Sequence, residues 1–251
     1  MKGYAIANQK GGVAKTTSGH NLAAGIFRRT GKKTLICDCD PQGNMTLACG
    51  HNPREIERAF FDFLEGGPFD AVGIDLGYAD LIPANLDSVK AESWIQNQRY
   101  GRQSYLANRV QELERYGYDY VFYDCPGNLG FVTVNAMVAA KNVLVPLQCE
   151  YYGLEGLSML FEEVQAIRKE GKDVNIVGII PTMWDKTTIN AEVKNEVRRE
   201  LPELLYETKI RRNVRLNEAP SHGKHIFEYD PECNGSQDYE ALVTEFLRRE
   251  A

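Results

Sequence analysis

Short apolar runs alternate along the chain with longer stretches of helical periodicity. Several short runs are apolar almost throughout, which is typical of strands that helices cover on both faces. Repeated strand–helix–strand units of this kind predict an α/β fold, a doubly wound, mostly parallel sheet with helices on both faces. The predicted strands span 4–8, 33–39, 78–84, 119–124, 142–147 and 175–182, with a weaker candidate at 205–210. The predicted helices span 15–29, 53–64, 88–94, 103–116, 131–140, 153–170, 189–200 and 237–249.

Length and composition fit a soluble enzyme or binding protein. The 251 residues suit one domain, 1–251, with a sizeable core. Hydrophobic residues make up 43% and charged residues 25%, both ordinary for a globular chain. No apolar run approaches the roughly 20 residues of a membrane-spanning helix, and a strand starting near Gly3 leaves no room for a signal peptide. We therefore expect a cytoplasmic protein.

Charge and cysteine content further narrow the possible classes of protein. The net charge of −6 argues against a chain that coats nucleic acid with its whole surface. A local basic patch stays possible because binding follows the field at the site. The six cysteines show no C-x-x-C spacing, which favours buried reduced thiols over disulfides or a metal cluster.

The stretch NQKGGVAKTT, residues 8–17, lies between the first predicted strand and the first predicted helix. In this context loop amides and a helix N-terminus converge on anionic oxygen. Lys15 would reach the β- and γ-phosphates of ATP, the Thr16 hydroxyl would coordinate Mg²⁺, and Thr17 could bond the α-phosphate. We therefore predict a nucleotide-binding loop made of Lys10, Gly11, Gly12, Val13, Ala14, Lys15, Thr16 and Thr17.

Two positions of this loop depart from the common phosphate-loop pattern, in which Gln9 and Ala14 would both be glycine. If φ of Ala14 is positive, its Cβ costs roughly 1–2 kcal/mol. If φ is negative, the cost is small. The sequence leaves both conformations open, and we expect the loop to bind nucleotide in either.

Three aspartates end predicted strands. Asp38 and Asp40 lie at the end of the second strand, and Asp124 ends the run YVFYD. Ligands of doubly wound sheets bind at the carboxyl ends of the strands, so a carboxylate after the second strand would face the γ-phosphate. Asp124 stands where a Walker B aspartate holds Mg²⁺, often through water. Thr16, Asp40 and Asp124 are therefore the predicted magnesium site.

These motifs together resemble the ParA-type partition ATPases, the P-loop family with a deviant Walker A motif that also includes the MinD septum-site ATPase. The shared stretches are KGGVAKTT, DCDPQGN, DCPGNLG, PLQCEYYGLEGLSML and RRNVRLNEAPSHGKHIFEYDP. They run from residue 4 to about residue 230, and the last two resemble the short, chromosomal Soj branch.

The resemblance implies roles that spacing alone does not give. Lys10 matches the signature lysine that reaches across a nucleotide-sandwich homodimer to the partner's phosphates. Asp40 matches the aspartate that positions the hydrolytic water, so Lys10, Lys15 and Asp40 form the implied catalytic set. The adenine would be bordered by Thr182, Met183 and Pro220. ATP would drive dimerisation, and hydrolysis stimulated by a ParB-like partner would reverse it.

The chain also departs from the Soj pattern. Ala14 replaces the usual glycine, and Gly127 stands where a second proline is typical. The stretch MWDKTTIN replaces a D-x-R-T-N type segment, so an arginine associated with DNA contact is absent or moved. This last substitution weakens the DNA inference more than the ATPase inference.

A local basic cluster is the candidate for sequence-independent DNA binding and nucleoid association. Dimerisation would double this patch and make DNA binding ATP-dependent. The alternative interpretation of the cluster is a solvated basic face without a DNA-binding role. Between 205 and 225 the only opposing acidic residues are Glu207 and Glu218. The cluster comprises Lys209, Arg211, Arg212, Arg215 and Lys224.

Other functions remain as alternatives. The same chemistry could position a protein cargo on the nucleoid instead of a chromosome or plasmid. A MinD-like membrane association would need an amphipathic tail, but the polar side of 237–250 is largely acidic, so a helix packed on the sheet is favoured. An electron-transfer ATPase resembling the nitrogenase iron protein and a non-ATPase interaction module are both disfavoured.

Overall fold

One seven-stranded sheet organises the molecule, and the computed structural model describes residues 1–251 apart from the side chain of Tyr152. The strands are β1 (Lys2–Ile6), β2 (Thr34–Asp38), β3 (Ile74–Asp75), β4 (Asp80–Ile82), β5 (Tyr120–Asp124), β6 (Lys141–Gln148) and β7 (Asn175–Thr182). They lie in the order β3-β4-β2-β5-β1-β6-β7, and every pair is parallel except β3 with β4 at one edge. The predicted doubly wound, mostly parallel α/β fold is therefore confirmed.

Helices cover both faces of this sheet. They are α1 (Lys15–Thr30), α2 (Asn44–Ala48), α3 (Phe60–Glu65), α4 (Lys90–Gln96), α5 (Tyr105–Val110), α6 (Phe131–Ala140), α7 (Tyr151–Lys169), α8 (Thr188–Glu200), α9 (Val214–Glu218), α10 (Ile226–Tyr229) and α11 (Asn234–Arg249). Short 3₁₀ helices span Phe69–Ala71, Leu86–Val89, Gln111–Tyr116 and Ala219–His222.

The strands send alternate side chains into two cores, one on each face of the sheet. In β5, Val121 and Tyr123 enter the core shared with α3 to α8, whereas Tyr120 and Phe122 enter the core shared with α1, α2 and α9 to α11. Burial on both faces explains why the strand sequences are apolar almost throughout.

The apolar stripe of α11 closes the second core. Tyr239, Leu242, Val243 and Phe246 are each at most 1% exposed and lie among residues of α1 and the sheet. The expectation of a helix packed on the sheet, rather than a membrane-seeking tail, is confirmed for this segment. None of the described helices has the combined length and apolar character needed to cross a bilayer.

The strand predicted at 205–210 is wrong. The segment makes only isolated bridges, Leu205 to Ile179 and Arg211 to Trp184. Pro181, in the adjacent strand β7, has no N–H to donate, which interrupts a ladder at this edge. Several amides of the segment bond instead to side chains of α11: Glu245 accepts hydrogen bonds from the amides of Glu207 and Thr208, and Asp238 accepts one from the amide of Arg211.

The helix predicted over 53–64 begins only at Phe60. Ala59 is extended, at φ −145°, and its amide donates to Asp62 Oδ2, an arrangement typical of a helix start. The remaining long helices lie within three residues of their predicted ends, except where 103–116 divides into α5 and a 3₁₀ helix. The sequence reading missed β3 and the short helices α2, α9 and α10.

Candidate functional site

A cleft of about 400 Å³ lies beyond the carboxyl ends of the central strands β1, β2 and β5. This is where open α/β sheets bind their ligands, because adjacent crossovers there leave the sheet in opposite directions. The cleft is lined by Gly11, Gly12, Ala14, Lys15, Thr16, Thr17, Asp40, Asn44, Leu47, Ala48, Gly127, Met183, Asn217 and Pro220. Most of the predicted phosphate-loop residues therefore meet Asp40 at one surface.

The phosphate loop contains a left-handed turn at two positions. Gly12 has φ 73° and Ala14 has φ 69°, so the Ala14 conformation left open by the sequence is the costly one. A Cβ built on Gly11 or on Gly12 would meet no atom within 4 Å, so the loop backbone faces open space on its cleft side. Met183, across the cleft, is also left-handed, at φ 48°. Non-glycine residues in this region persist where surrounding structure over-determines them, commonly at ligand sites.

Lys15 begins α1, and its ammonium lies over the loop. Its Nζ donates to the carbonyl oxygens of Asn8 at 3.2 Å and Lys10 at 3.3 Å, and the residue is 9% exposed. No carboxylate forms an ion pair with it among the described side chains. A buried ammonium held only by neutral carbonyls at the edge of an open cleft is suited to receive an anion.

Thr16 and Asp124 are joined beneath the loop. The Thr16 hydroxyl donates to Asp124 Oδ2 at 2.7 Å, whereas Asp124 Oδ1 is buried without a hydrogen-bond partner in the described structure. Burial, followed by the nearby charge of Asp38, raises the pKa of Asp124 well above its usual range, and the hydrogen bond from Thr16 and the nearby positive charge of Lys15 oppose this. A divalent cation would satisfy the orphaned oxygen and stabilise the ionised form.

The two carboxylates after β2 have different environments. Asp38 is fully buried, and its Oδ2 accepts hydrogen bonds from the amide and hydroxyl of Thr46. Burial raises the pKa of Asp38 to about 7 against these hydrogen bonds. Asp40 is partly exposed, lines the cleft, and accepts the amide of Gln42 at 2.9 Å. Asp38 therefore holds α2 against β2, and Asp40 is left to face the ligand.

Lys10 leaves the cleft of its own chain. Its Nζ donates to Gln148 Oε1 at 3.0 Å and to Glu150 Oε2 at 3.1 Å, at the end of β6 and the start of α7. Gln148 in turn donates to Glu150 at 2.5 Å. The side chain of Lys10 is thus separated from that of Lys15, although the two residues share one loop.

The three residues predicted to border the adenine take two positions. Met183 and Pro220 line the cleft, as expected of groups beside a ligand. Thr182 is fully buried, and its hydroxyl donates to the carbonyl of Val13 at 3.0 Å, so it supports the phosphate loop from behind. The burial of Val13 on the same side fits this supporting contact.

The predicted basic cluster lies beside the cleft, and most of its cations are already paired. Lys209 stacks on the Trp184 ring, 4.2 Å from its centroid. The ion pairs are Arg211 with Asp238, Arg212 with Asp185, Arg215 with Glu218 and Asp230, and Lys224 with Glu228. Five carboxylates therefore meet four of the five cations, whereas the local sequence suggested only two acidic neighbours.

Sequence reasoning missed several lining residues. Asn44 and Asn217 lie in the shared stretches DCDPQGN and RRNVRLNEAPSHGKHIFEYDP but received no predicted role, and Leu47 carries no local signal. Short helices that the pattern did not predict bring all three to the cleft. A cavity of about 40 Å³ adjoins the loop at Ala14 and Thr17, and Asn213 and Asn217 line it.

The donor set at the cleft fits a nucleoside triphosphate with Mg²⁺. The described residues contain no group of three or more His, Cys, Asp or Glu that could hold a metal ion alone. Mg²⁺ commonly binds through one or two protein oxygens together with substrate phosphates. The orphaned Asp124 oxygen, the Thr16 hydroxyl and the anion-free Lys15 meet this requirement. The six cysteines are free thiols, and all but Cys233 are buried.

Comparison with known proteins finds relatives named for sporulation and chromosome partitioning. A family model described as AAA domain matches residues 1–176. The chain is 41% identical over 249 residues to the sporulation initiation inhibitor protein Soj of Bacillus subtilis, covering 96% of each protein. It is 40% identical over 257 residues to the chromosome partitioning protein ParA of Caulobacter vibrioides, covering 100% of this chain and 95% of that protein.

A solved structure shares the architecture. Cobyrinic acid a,c-diamide synthase from Mycobacterium smegmatis, with bound ATP analog and magnesium, superposes with a TM-score of 0.85 at 29% sequence identity. The match covers 100% of this chain and 96% of that one.

Proposed function

The chain belongs to the ParA and Soj family of chromosome-partitioning ATPases, and we propose that it is an ATP-dependent dimerising partition ATPase that uses Mg²⁺. In the ATP state it binds DNA without sequence preference, and hydrolysis stimulated by a ParB-like partner releases it. Its role is to segregate a chromosome or plasmid in association with the nucleoid. Soj and ParA, two relatives named for sporulation and chromosome partitioning, support this assignment, as does the ATP analog bound by the structural relative.

The single observation that carries the proposal is the arrangement beneath the phosphate loop. Lys15 lines the cleft and is buried without an anion, and Asp124, which accepts the hydroxyl of the cleft residue Thr16, is buried with one unpartnered oxygen. Burying the Lys15 ammonium and the Asp124 carboxylate each costs free energy of desolvation. Both costs are offset when a phosphate binds to Lys15 and a cation binds to Asp124. Thr16, Asp124 and Asp40 would hold Mg²⁺, which neutralises charge on the phosphate oxygens.

The chain's own residues supply the rest of the chemistry. The loop amides and Lys15 bind and orient the phosphates, which is the main protein contribution to phosphoryl transfer. Asp40, on the open side of the cleft, positions the attacking water for in-line hydrolysis. Lys10 leaves its own cleft, which supports a role at the phosphates of a second copy across a homodimer.

The DNA-binding part of the proposal uses the cluster of Lys209, Arg211, Arg212, Arg215 and Lys224. Phosphates would replace the present carboxylate partners, so a single copy gains little free energy from each exchange. Two copies on one dimer act together, which makes the association depend on ATP. The loss of the carboxylate partners is the physical reason why a monomer would bind DNA only weakly.

Two variants test the proposal. Lys15→Gln removes a charge-assisted contact of about 1.5–3 kcal/mol, so ATP affinity should fall by about one to two orders of magnitude. Asp40→Ala should retain ATP and dimerise but hydrolyse ATP about 100-fold or more slowly, because the water loses its positioning group. Isothermal titration with ATP and Mg²⁺, phosphate release, and light scattering with ATP or ADP measure these effects. Unchanged ATP affinity in Lys15→Gln would refute the site assignment, and full turnover in Asp40→Ala would remove Asp40 from catalysis.

A further inference from the structure

A second basic surface lies around the loop 98–104, the stretch QRYGRQS being polar and without periodicity. It borders an open cleft of about 580 Å³ that includes Arg99, Tyr100, Arg102, Ser104 and Lys172, and we name this surface the Arg99 cleft. None of its residues lines the nucleotide cleft. Lys172 comes from the turn after α7, so the fold joins two segments that are distant in sequence.

The cations of the Arg99 cleft have no carboxylate partners. Arg99 makes one described contact, with the Tyr100 ring, Arg102 donates to the carbonyl of Gln98, and Lys172 donates to the Ser104 hydroxyl. No ion pair involves these three residues among the described side chains. Glu170 is the one acidic residue lining the cleft, so three cations meet a single carboxylate.

This makes the Arg99 cleft electrostatically unlike the cluster at 209–224. Each ion-paired cation there must give up a carboxylate at 2.6–2.9 Å to bind a phosphate. To bind a phosphate, the cations of the Arg99 cleft give up only water and hydrogen bonds to neutral oxygen atoms. The positive field of Arg99, Arg102 and Lys172 therefore extends into solvent. A phosphate backbone therefore gains more from each of these cations.

The backbone that presents these side chains is fixed. Asn135 of α6 donates to the carbonyl of Arg102 at 2.6 Å and accepts the amide of Leu106. The Tyr105 hydroxyl donates to the carbonyl of Tyr100 at 3.1 Å. A loop held in this way loses little conformational entropy when a ligand binds.

Tyr100 adds a second kind of contact. Its side chain is among the most exposed aromatic groups of the described chain, at 73%, and the Arg99 guanidinium lies 5.4 Å from its ring centroid. Exposed aromatic rings between phosphate-binding cations are the arrangement that holds single strands, because every base has a face that can stack. A duplex hides its base faces and offers only phosphates.

We propose that the Arg99 cleft binds a single-stranded nucleic acid segment, with Arg99, Arg102 and Lys172 on the phosphates and Tyr100 stacked on an unpaired base. The surface is complete in one chain. Binding there therefore requires neither ATP nor dimerisation, and it is independent of the function proposed above.

Fluorescence anisotropy tests this with a labelled mixed-sequence DNA strand of about 20 nucleotides and the nucleotide-free protein at about 50 mM salt. The double variant Arg99→Ala/Arg102→Ala should bind at least about tenfold more weakly, and its salt slope should be smaller by about 1.4 because two phosphate contacts are lost. Tyr100→Ala should weaken single-strand binding by about 5- to 150-fold and duplex binding by less than about twofold. Tyr100→Phe keeps the ring and should bind like the wild type.

The matched control is Arg28→Ala/Arg29→Ala, which removes two adjacent, exposed arginines paired with Glu240 on another face. It should change single-strand affinity by less than about twofold. Arg99→Ala alone, which removes no described hydrogen bond, guards against a loop disturbed by loss of Arg102. The proposal is overturned if the wild type does not bind the strand, if the control loses as much affinity as the double variant, or if Tyr100→Ala weakens duplex and single strand equally.

Discussion

At the scale of single residues, Ala14 combines a backbone cost with a central place in the site. It adopts φ 69° at the start of α1, where L-residues pay roughly 1–2 kcal/mol. Relative to glycine, its Cβ lowers the conformational entropy of the unfolded chain, which stabilises the folded state by only about 0.4–1 kcal/mol. The backbone strain is therefore the larger of the two effects. The loop geometry is therefore maintained by its surroundings, including the hydrogen bond from Thr182 to Val13.

Ala14→Gly should consequently raise the free energy of unfolding of the nucleotide-free protein by up to about 1 kcal/mol. Ala241→Gly, at an exposed position in the interior of the helix α11, is the matched control and should lower it by about 0.5–1 kcal/mol. Urea unfolding followed by circular dichroism measures both. A loss of stability in Ala14→Gly would mean that the alanine methyl makes a packing contribution larger than the strain.

At the scale of secondary-structure elements, α11 stabilises the molecule through both an apolar face and its carboxylates. Glu245 is only 6% exposed and accepts the amides of Glu207 and Thr208 while pairing with Arg249. Burial alone would raise the pKa of Glu245, but these hydrogen bonds lower it below its usual value. The segment 204–212 thus obtains its backbone partners from a helix, which a pattern read along that segment could not reveal.

Glu245→Ala should lower the free energy of unfolding by about 2 kcal/mol or more, because two partly buried amides lose their acceptor and Arg249 loses its ion pair. Glu240→Ala is the matched control, since Glu240 lies on the same helix but pairs with Arg28 and Arg29 in solvent, and it should change stability by less than about 1 kcal/mol. Thermal and urea unfolding of the two variants compare these costs. Equal losses would show that α11 is held by its apolar stripe alone.

At the scale of the whole molecule, sequence determined the sheet and the phosphate loop, because their signals are local: apolar runs, a glycine-containing turn and aspartates at strand ends. The partners of the basic cluster depend on distant contacts. Asp185, Asp230 and Asp238 come from other loops or helices, so the sequence around 205–225 overstated the field of the cluster. For the same reason the sequence did not reveal that Lys172 lies beside the loop 98–104. It also did not reveal that Thr182 supports the phosphate loop from behind instead of lining the cleft.

The charge arrangement leads to a prediction about duplex DNA bound by the ATP dimer. In Arg212→Glu/Arg215→Glu, new carboxylates would face Asp185, Glu218 and Asp230, so the cluster becomes strongly acidic while the nucleotide cleft keeps its phosphate loop. DNA affinity with ATP should fall at every sequence tested, because phosphate contacts carry no base information. The salt slope should decrease by up to about 3.6, since a dimer loses four phosphate contacts.

The measurement is duplex affinity with ATP against ADP at several salt concentrations, with light scattering to verify that ATP still produces dimers. Arg28→Glu/Arg29→Glu supplies a control of equal charge change on another face, and it should retain most of the ATP-dependent binding because those arginines lie outside the cluster. If both double variants lose affinity equally, net charge governs binding. If neither does, the cluster at 209–224 is not the DNA-binding surface, since replacing four positive charges by four negative ones across its two copies cannot leave phosphate binding unaltered.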